Sequence, residues 1–241
     1  MGFPELADRA DLAARTVPKM ALSNGSASSI TPPPKATTLN DPIAGARDRF
    51  SVYGNMIVTG GVGGLGLASC DALLEHGLGG LMIFDVNPAQ SQKEIDAMRS
   101  KFPQARIEAI KVDVTDEQAV LEAVVETVRS LGSVNGLVRF VGMVGCSNSL
   151  DVPVAQWRKI IDINTTGSFI CAQAVARQMV RQNAGGSITF TASISANRVN
   201  YPPPQAAYND IWTQFLNEGD YGARKMWASR NPVEEWVAHP S

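Results

Sequence analysis

Thr59-Gly60-Gly61-Val62-Gly63-Gly64-Leu65-Gly66 is the stretch whose reading decides the fold. It follows the apolar run Asn55-Met56-Ile57-Val58 and precedes a segment with apolar residues three and four apart. The pattern predicts a strand over residues 55–59, a glycine turn, and a helix over residues 64–76. A glycine-rich turn that opens a helix after a strand lets the backbone approach a pyrophosphate, and the helix N-terminus offers unpaired N–H groups and a favourable dipole. A glycine turn with no ligand is the competing reading, and the position between strand and helix argues against it.

The alternation continues outward from this turn. Short apolar runs predict strands over residues 80–85, 107–112, 136–141 and 187–191. Between them, amphipathic stretches predict helices over residues 89–102, 116–131 and, as one long segment, 154–182. Strands alternating with helices point to an α/β fold, a Rossmann-like doubly wound parallel sheet with helices on both faces. Before it, a helix over residues 4–16 is followed by a Ser, Thr and Pro-rich linker that includes Pro32-Pro33-Pro34, so residues 1–49 are expected to be a flexible tail. The dinucleotide-binding domain is assigned to residues 50–208. After Tyr208 the alternation stops, no strand is expected, and residues 209–241 are expected to be an incomplete, irregular or helical remnant. On this reading the fifth strand is left as an exposed apolar edge.

Composition narrows the partners. A chain of 241 residues, 44% hydrophobic and 18% charged, can bury one sizeable core. It contains no apolar run near the ~18 residues of a membrane span. A net charge of −2 without a Lys/Arg cluster carries no footprint for nucleic acid and favours a small-molecule partner. Cys70, Cys146 and Cys171 form no CxxC pair and read as buried thiols in a reducing compartment. No metal site is expected, because His76 and His239 are single. With no apolar signal core, and with Glu5, Asp8 and Asp11 near the start, the expected location is cytoplasmic.

Asp85 ends the predicted second strand, 19 positions after Gly66. An acid about 20 residues past the glycines reaches the adenosine ribose hydroxyls and repels a 2′-phosphate. No Lys or Arg follows before Lys93, so NAD is favoured over NADP. Asp113, with Val114 beside it, is placed to meet the adenine, and a capping role ahead of Thr115-Asp116 competes with that reading.

These residues resemble the short-chain dehydrogenase/reductase family, in particular its fungal polyol dehydrogenase and xylulose reductase branch. The resemblance covers about residues 50–208. Thr59, Gly60, Gly64 and Gly66 fit the family's TGxxxGxG spacing, with Gly61, Val62 and Leu65 inside the same loop, and Asp85 and Asp113 fit its adenosine-binding acids. The resemblance implies three catalytic residues: Asn164, which helps hold a relay water; Ser193, which donates to the substrate oxygen, with Ser195 as the alternative; and Tyr208 as acid/base. Tyr201 is disfavoured by the prolines that follow it. The implied substrate is a polyol or ketose, and family members form homo-oligomers.

Two departures stand out. Where the family closes its fourth strand with an NNAG-type segment, this chain has Arg139-Phe140-Val141-Gly142, in which only Gly142 is retained. Where the family places a lysine four residues after its tyrosine, this chain has Trp212. Residues 216–220 and 226–232 then resemble a segment normally found farther downstream, which implies an internal deletion. Three functions follow as alternatives. The chain is a secondary-alcohol oxidoreductase, or an inactive remnant or splice form that at most binds dinucleotide, or a nucleotide-binding regulator of the same fold.

Overall fold

The computed structural model describes residues 50–147, 150–193, 195, 205, 207, 208 and the backbone of 226–228. The expectations for residues 1–49, for Tyr201 and for Trp212 lie outside the described residues. Strands β1 (Asn55–Thr59), β2 (Gly80–Asp85), β3 (Arg106–Lys111), β4 (Gly136–Arg139), β5 (Gly186–Phe190) and β6 (Met226–Ala228) form one sheet in the order β3-β2-β1-β4-β5-β6. The first five are mutually parallel. The expected doubly wound fold is present, with β1 and β2 at their predicted bounds.

Alternation along each strand builds two cores. In β2, Leu81 and Ile83 face one side and Met82 and Phe84 the other, all at most 1% exposed. On one face Val58, Leu81, Ile83 and Ile107 pack with Cys70 and Leu74 of α1 (Gly64–Glu75) and with Ile95 and Met98 of α2 (Gln92–Lys101). On the other, Ile57, Phe84, Leu137 and Ile188 pack with Val120 and Val124 of α3 (Glu117–Leu131) and with Cys171, Val175 and Met179 of α5 (Gly167–Arg181). Each fully buried side chain of this size contributes about 1.5–3 kcal/mol, so the helices on both faces contribute to holding the sheet.

Two expectations are corrected. The single helix over residues 154–182 is two helices, α4 (Val154–Ile161) and α5, joined by a π-turn (Asp162–Thr166). The apolar period runs through this turn, so periodicity did not reveal the wider winding. The second correction concerns the edge: β6 pairs antiparallel with β5, Gly186 opposite Ala228 and Ile188 opposite Met226. A strand therefore does follow Tyr208, and it covers the first three residues of β5, Gly186, Ser187 and Ile188, along the edge expected to be bare. Its three residues carry no alternation long enough to read in sequence.

Candidate active site

The sheet order reverses between β1 and β4, and in open α/β sheets ligands bind at the carboxyl ends of the strands at such a switch point. Thr59 ends β1 there and is fully buried. Gly60 takes φ +68°, and a Cβ on it would lie 2.7 Å from the Val141 nitrogen. That combination of left-handed backbone and contact with the β4 loop admits only glycine. A Cβ on Gly66 would fall 2.1 Å from the Gly60 carbonyl, so this glycine lets α1 close onto the turn. A Cβ on Gly61 would meet Ile83, whereas one on Gly64 would meet nothing within 4 Å. Gly63 caps α1 without a side-chain hydrogen bond, Val62 is buried, and Leu65 is exposed beside the opening. An open cradle at Gly64, facing an uncapped helix N-terminus, fits a dinucleotide pyrophosphate.

Asp85 ends β2, and one carboxylate oxygen accepts the Asn87 N–H at 3.1 Å. Asp113 is exposed, and its carboxylate accepts both the amide and the hydroxyl of Thr115, at 3.0 and 2.7 Å. The helix cap is Asp116, which accepts the Ala119 N–H at 3.0 Å, so Asp113 closes a turn ahead of α3 rather than capping it. Val114 is buried where Gly167 passes, since a Cβ on that glycine would meet a Val114 methyl at 2.7 Å.

Asn164 lies in the π-turn and is 1% exposed. Its Nδ2 donates to the Met143 carbonyl at 2.8 Å and the Ile160 carbonyl at 2.9 Å, and its Oδ1 accepts the Met143 N–H at 3.2 Å. Asn164 therefore points into the protein and not to solvent. The side chain latches the loop after β4 onto α4, and a Cβ on Gly142 would sit 3.1 Å from its oxygen. π-Turns inside helices recur at functional sites because they redirect one side chain and free backbone acceptors.

Ser193 and Ser195 pair, with Ser193 Oγ 3.1 Å from Ser195 Oγ and accepting the Ser195 N–H at 3.2 Å. Tyr208 packs with Ala192, Met143, Trp157 and Ile161 around buried Ile160 and Ala207. Tyr208 thus shares one cluster with the neighbour of Ser193 and with both residues that Asn164 grips. The three candidates come from the π-turn between α4 and α5, the segment just after β5 and a later segment, and the cluster around Ile160 and Ala207 links their neighbourhoods through Met143, Ile160 and Ala192.

Arg139, noted in sequence only as a departure, is 3% exposed. Its Nη2 donates to the carbonyls of Ile163 and Asn164 at 2.9 and 3.0 Å, and its own carbonyl accepts Thr191 Oγ1 at 2.7 Å. Burial pushes the guanidinium down to about 10, opposed by the Cys171 sulfur and the Tyr208 phenol, so it remains a cation at neutral pH. The signal for it was a charge closing an otherwise apolar strand. Among the described residues there is no cluster of potential metal ligands and no helix long and apolar enough to cross a membrane.

The family model for short chain dehydrogenases matches residues 54–209. A short chain dehydrogenase/reductase of Aspergillus versicolor is 34% identical over 158 residues, 64% of this chain and 53% of the relative. An NADP-dependent mannitol dehydrogenase of Alternaria alternata is 29% identical over 73% of this chain and 64% of the relative. The crystal structure of an NAD+-bound xylitol dehydrogenase superposes with a TM-score of 0.61 at 31% identity, over 68% of this chain and 62% of that one. That of an NADPH-dependent 3-quinuclidinone reductase from Rhodotorula rubra gives 0.66 at 27% identity, over 78% and 70%. The chain spans between about half and two thirds of the length of these two curated relatives.

Proposed function

The chain belongs to the short-chain dehydrogenase family, and from that premise we propose that it binds a nicotinamide dinucleotide and interconverts a secondary alcohol of a polyol with its ketone. The observation that carries the proposal is a glycine turn that leaves Gly64 open, together with one cluster that holds Tyr208, the neighbour of Ser193 and both residues bonded to Asn164. Polyol and sugar-alcohol enzymes among the relatives support the substrate class. Gly60, Gly61, Val62, Gly64, Leu65 and Gly66 form the pyrophosphate turn, with Thr59 at its base. Asp85 takes the adenosine ribose, Asp113 and Val114 border the adenine, and Gly142 borders the second half of the site. A bound nicotinamide accepts or delivers the hydride.

Ser193 donates a hydrogen bond to the substrate oxygen, and Tyr208 exchanges its proton. Asn164 keeps the loop after β4 in register with both. NAD is proposed over NADP because the free oxygen of Asp85 would meet a 2′-phosphate and no cation follows before Lys93. The domain division at residues 50 and 208, the internal deletion after Tyr208 and a cytoplasmic location are proposed with it.

A second reading, dinucleotide binding without turnover, is favoured by Trp212, which brings one N–H and no charge where the family has a lysine. The deciding assay follows reduced dinucleotide formation with arabinitol, sorbitol, mannitol and xylitol in this chain and in Tyr208→Phe. Turnover that Tyr208→Phe lowers by ~10²- to 10⁴-fold supports the oxidoreductase. Dinucleotide binding with no turnover in either protein establishes the second reading.

A further inference from the structure

Arg139 closes β4 opposite Thr59 of β1, its partner in the parallel register, so both side chains lie on the same face at the switch point. Among the described residues, the buried side-chain polar atoms without a hydrogen-bond partner are Thr59 Oγ1 and Arg139 Nε. None of the ion pairs among those residues includes Arg139. The two contacts that hold its Nη2 are neutral carbonyls. A guanidinium so placed is a fixed positive charge, and among the described residues no carboxylate is paired with it to cancel its field.

From this placement we propose that Arg139 makes the site prefer the reduced dinucleotide, whose nicotinamide ring is neutral, over the oxidised form, whose ring is a cation. The inference rests on the dinucleotide reading above. In a doubly wound sheet one mononucleotide half lies over the β1–β2 side, where Asp85 stands. The other lies over the β4–β5 side, where Arg139, Gly142 and Asn164 stand. Both redox forms share the pyrophosphate and the adenosine, so contacts at the glycine turn and at Asp85 cancel in the comparison. What remains is the interaction of the ring charge with its surroundings. Buried at 3% exposure and anchored at two carbonyls, Arg139 cannot swing into solvent to relieve the repulsion. At an effective dielectric of ~20, two like unit charges ~8 to 12 Å apart disfavour one another by an amount equal to a roughly ten- to thirtyfold loss of affinity.

The experiment is equilibrium binding of NADH and NAD+, each also as the 2′-phosphorylated form, to the full chain, followed by calorimetry and by quenching of protein fluorescence. The reduced form should bind at least about tenfold more tightly. Arg139→Lys should keep most of that ratio, and Arg139→Met should bring it down by about tenfold while leaving affinity for ADP, which lacks both the ring and its ribose and sits on the β1–β2 side, unchanged. Equal affinity for the two redox forms in the unmutated chain overturns the inference and leaves the dinucleotide reading intact. Binding of neither form overturns both. A ratio that survives in a folded Arg139→Met protein also overturns it. The unmutated ratio is decisive even where that variant does not fold.

Discussion

Replacing Asn164 by Ala removes three hydrogen bonds at once, two donated to the carbonyls of Met143 and Ile160 and one accepted from the Met143 N–H. Met143 is only half-buried, so water can recover part of its loss, whereas Ile160 is 1% exposed. At about 1 kcal/mol for each bond, with up to ~3 for a buried group left unpaired, the loss is about 2–4 kcal/mol. For a domain of this size that lowers Tm by about 4–16 °C. Asn164→Asp keeps the shape and separates packing from hydrogen bonding. Its carboxylate would face two carbonyls in a buried setting, which raises its folded pKa above the ~3.9 of a free aspartate. The protonated acid can still donate one bond. The charge-dependent part of the destabilisation is therefore absent below that unfolded value, grows as pH rises through it, and levels off above the raised folded value. Thermal unfolding at pH 5 and pH 8 should show Asn164→Asp falling further behind Asn164→Ala at the higher pH. An Asn164→Ala protein melting within ~1 °C of its parent, or an Asp variant with the same deficit at both pH values, would refute the latch.

Other outcomes follow from the same geometry. Gly66→Ala should disrupt the turn and lower stability, because its Cβ would lie 2.1 Å from a backbone oxygen, whereas Gly64→Ala should melt like the parent and bind dinucleotide more weakly; binding unchanged in Gly64→Ala would remove the cradle. Asp85→Ala should narrow the ratio of NAD to NADP affinity by roughly tenfold, read by calorimetry, and equal affinities in the parent would remove the basis for it. Burial pushes the thiols of Cys70 and Cys171 up to about 12, so both stay neutral and shielded at pH 8. Cys146, expected from the sequence to be buried, is instead exposed, and a native thiol titration should show one fast-reacting group with the other two appearing on unfolding.

The sequence carried the parts of the fold that burial makes redundant. β1 and β2 were readable to the residue because both faces of each strand are covered, which forces short unbroken apolar runs between glycines. The glycine turn was readable because steric exclusion is absolute at Gly60 and Gly66. The π-turn escaped notice because one extra residue wound into a helix leaves the spacing of apolar positions nearly intact. β6 escaped because three residues held by an established edge need no pattern of their own. At the site, Asn164 was singled out by resemblance, but its partners were not. They are backbone atoms of Met143 and Ile160, and a main-chain acceptor leaves no mark in the amino-acid code.

Arg139 and the π-turn account for one another. Widening the turn so that the Gly167 N–H reaches back to the Asp162 carbonyl takes the intervening carbonyls out of the regular helical ladder. Those of Ile163 and Asn164 then accept the guanidinium, and the Asn164 carbonyl also accepts the Ser168 hydroxyl. A buried cation without a carboxylate is destabilising by several kcal/mol unless strong acceptors surround it, and freed carbonyls are such acceptors. The π-turn in its turn places Asn164 where it reaches Met143, so the substitution that fills the end of β4 with a cation and the turn that orients the candidate relay residue form one unit. An asparagine at position 139, of the type the family places there, is shorter and uncharged. The carbonyls of Ile163 and Asn164 would be left to water, in a place where Asn164 is 1% exposed. The departure at Arg139 is therefore built into the support of the site, and any restoration of the family residue must be accompanied by new partners for the π-turn carbonyls of Ile163 and Asn164.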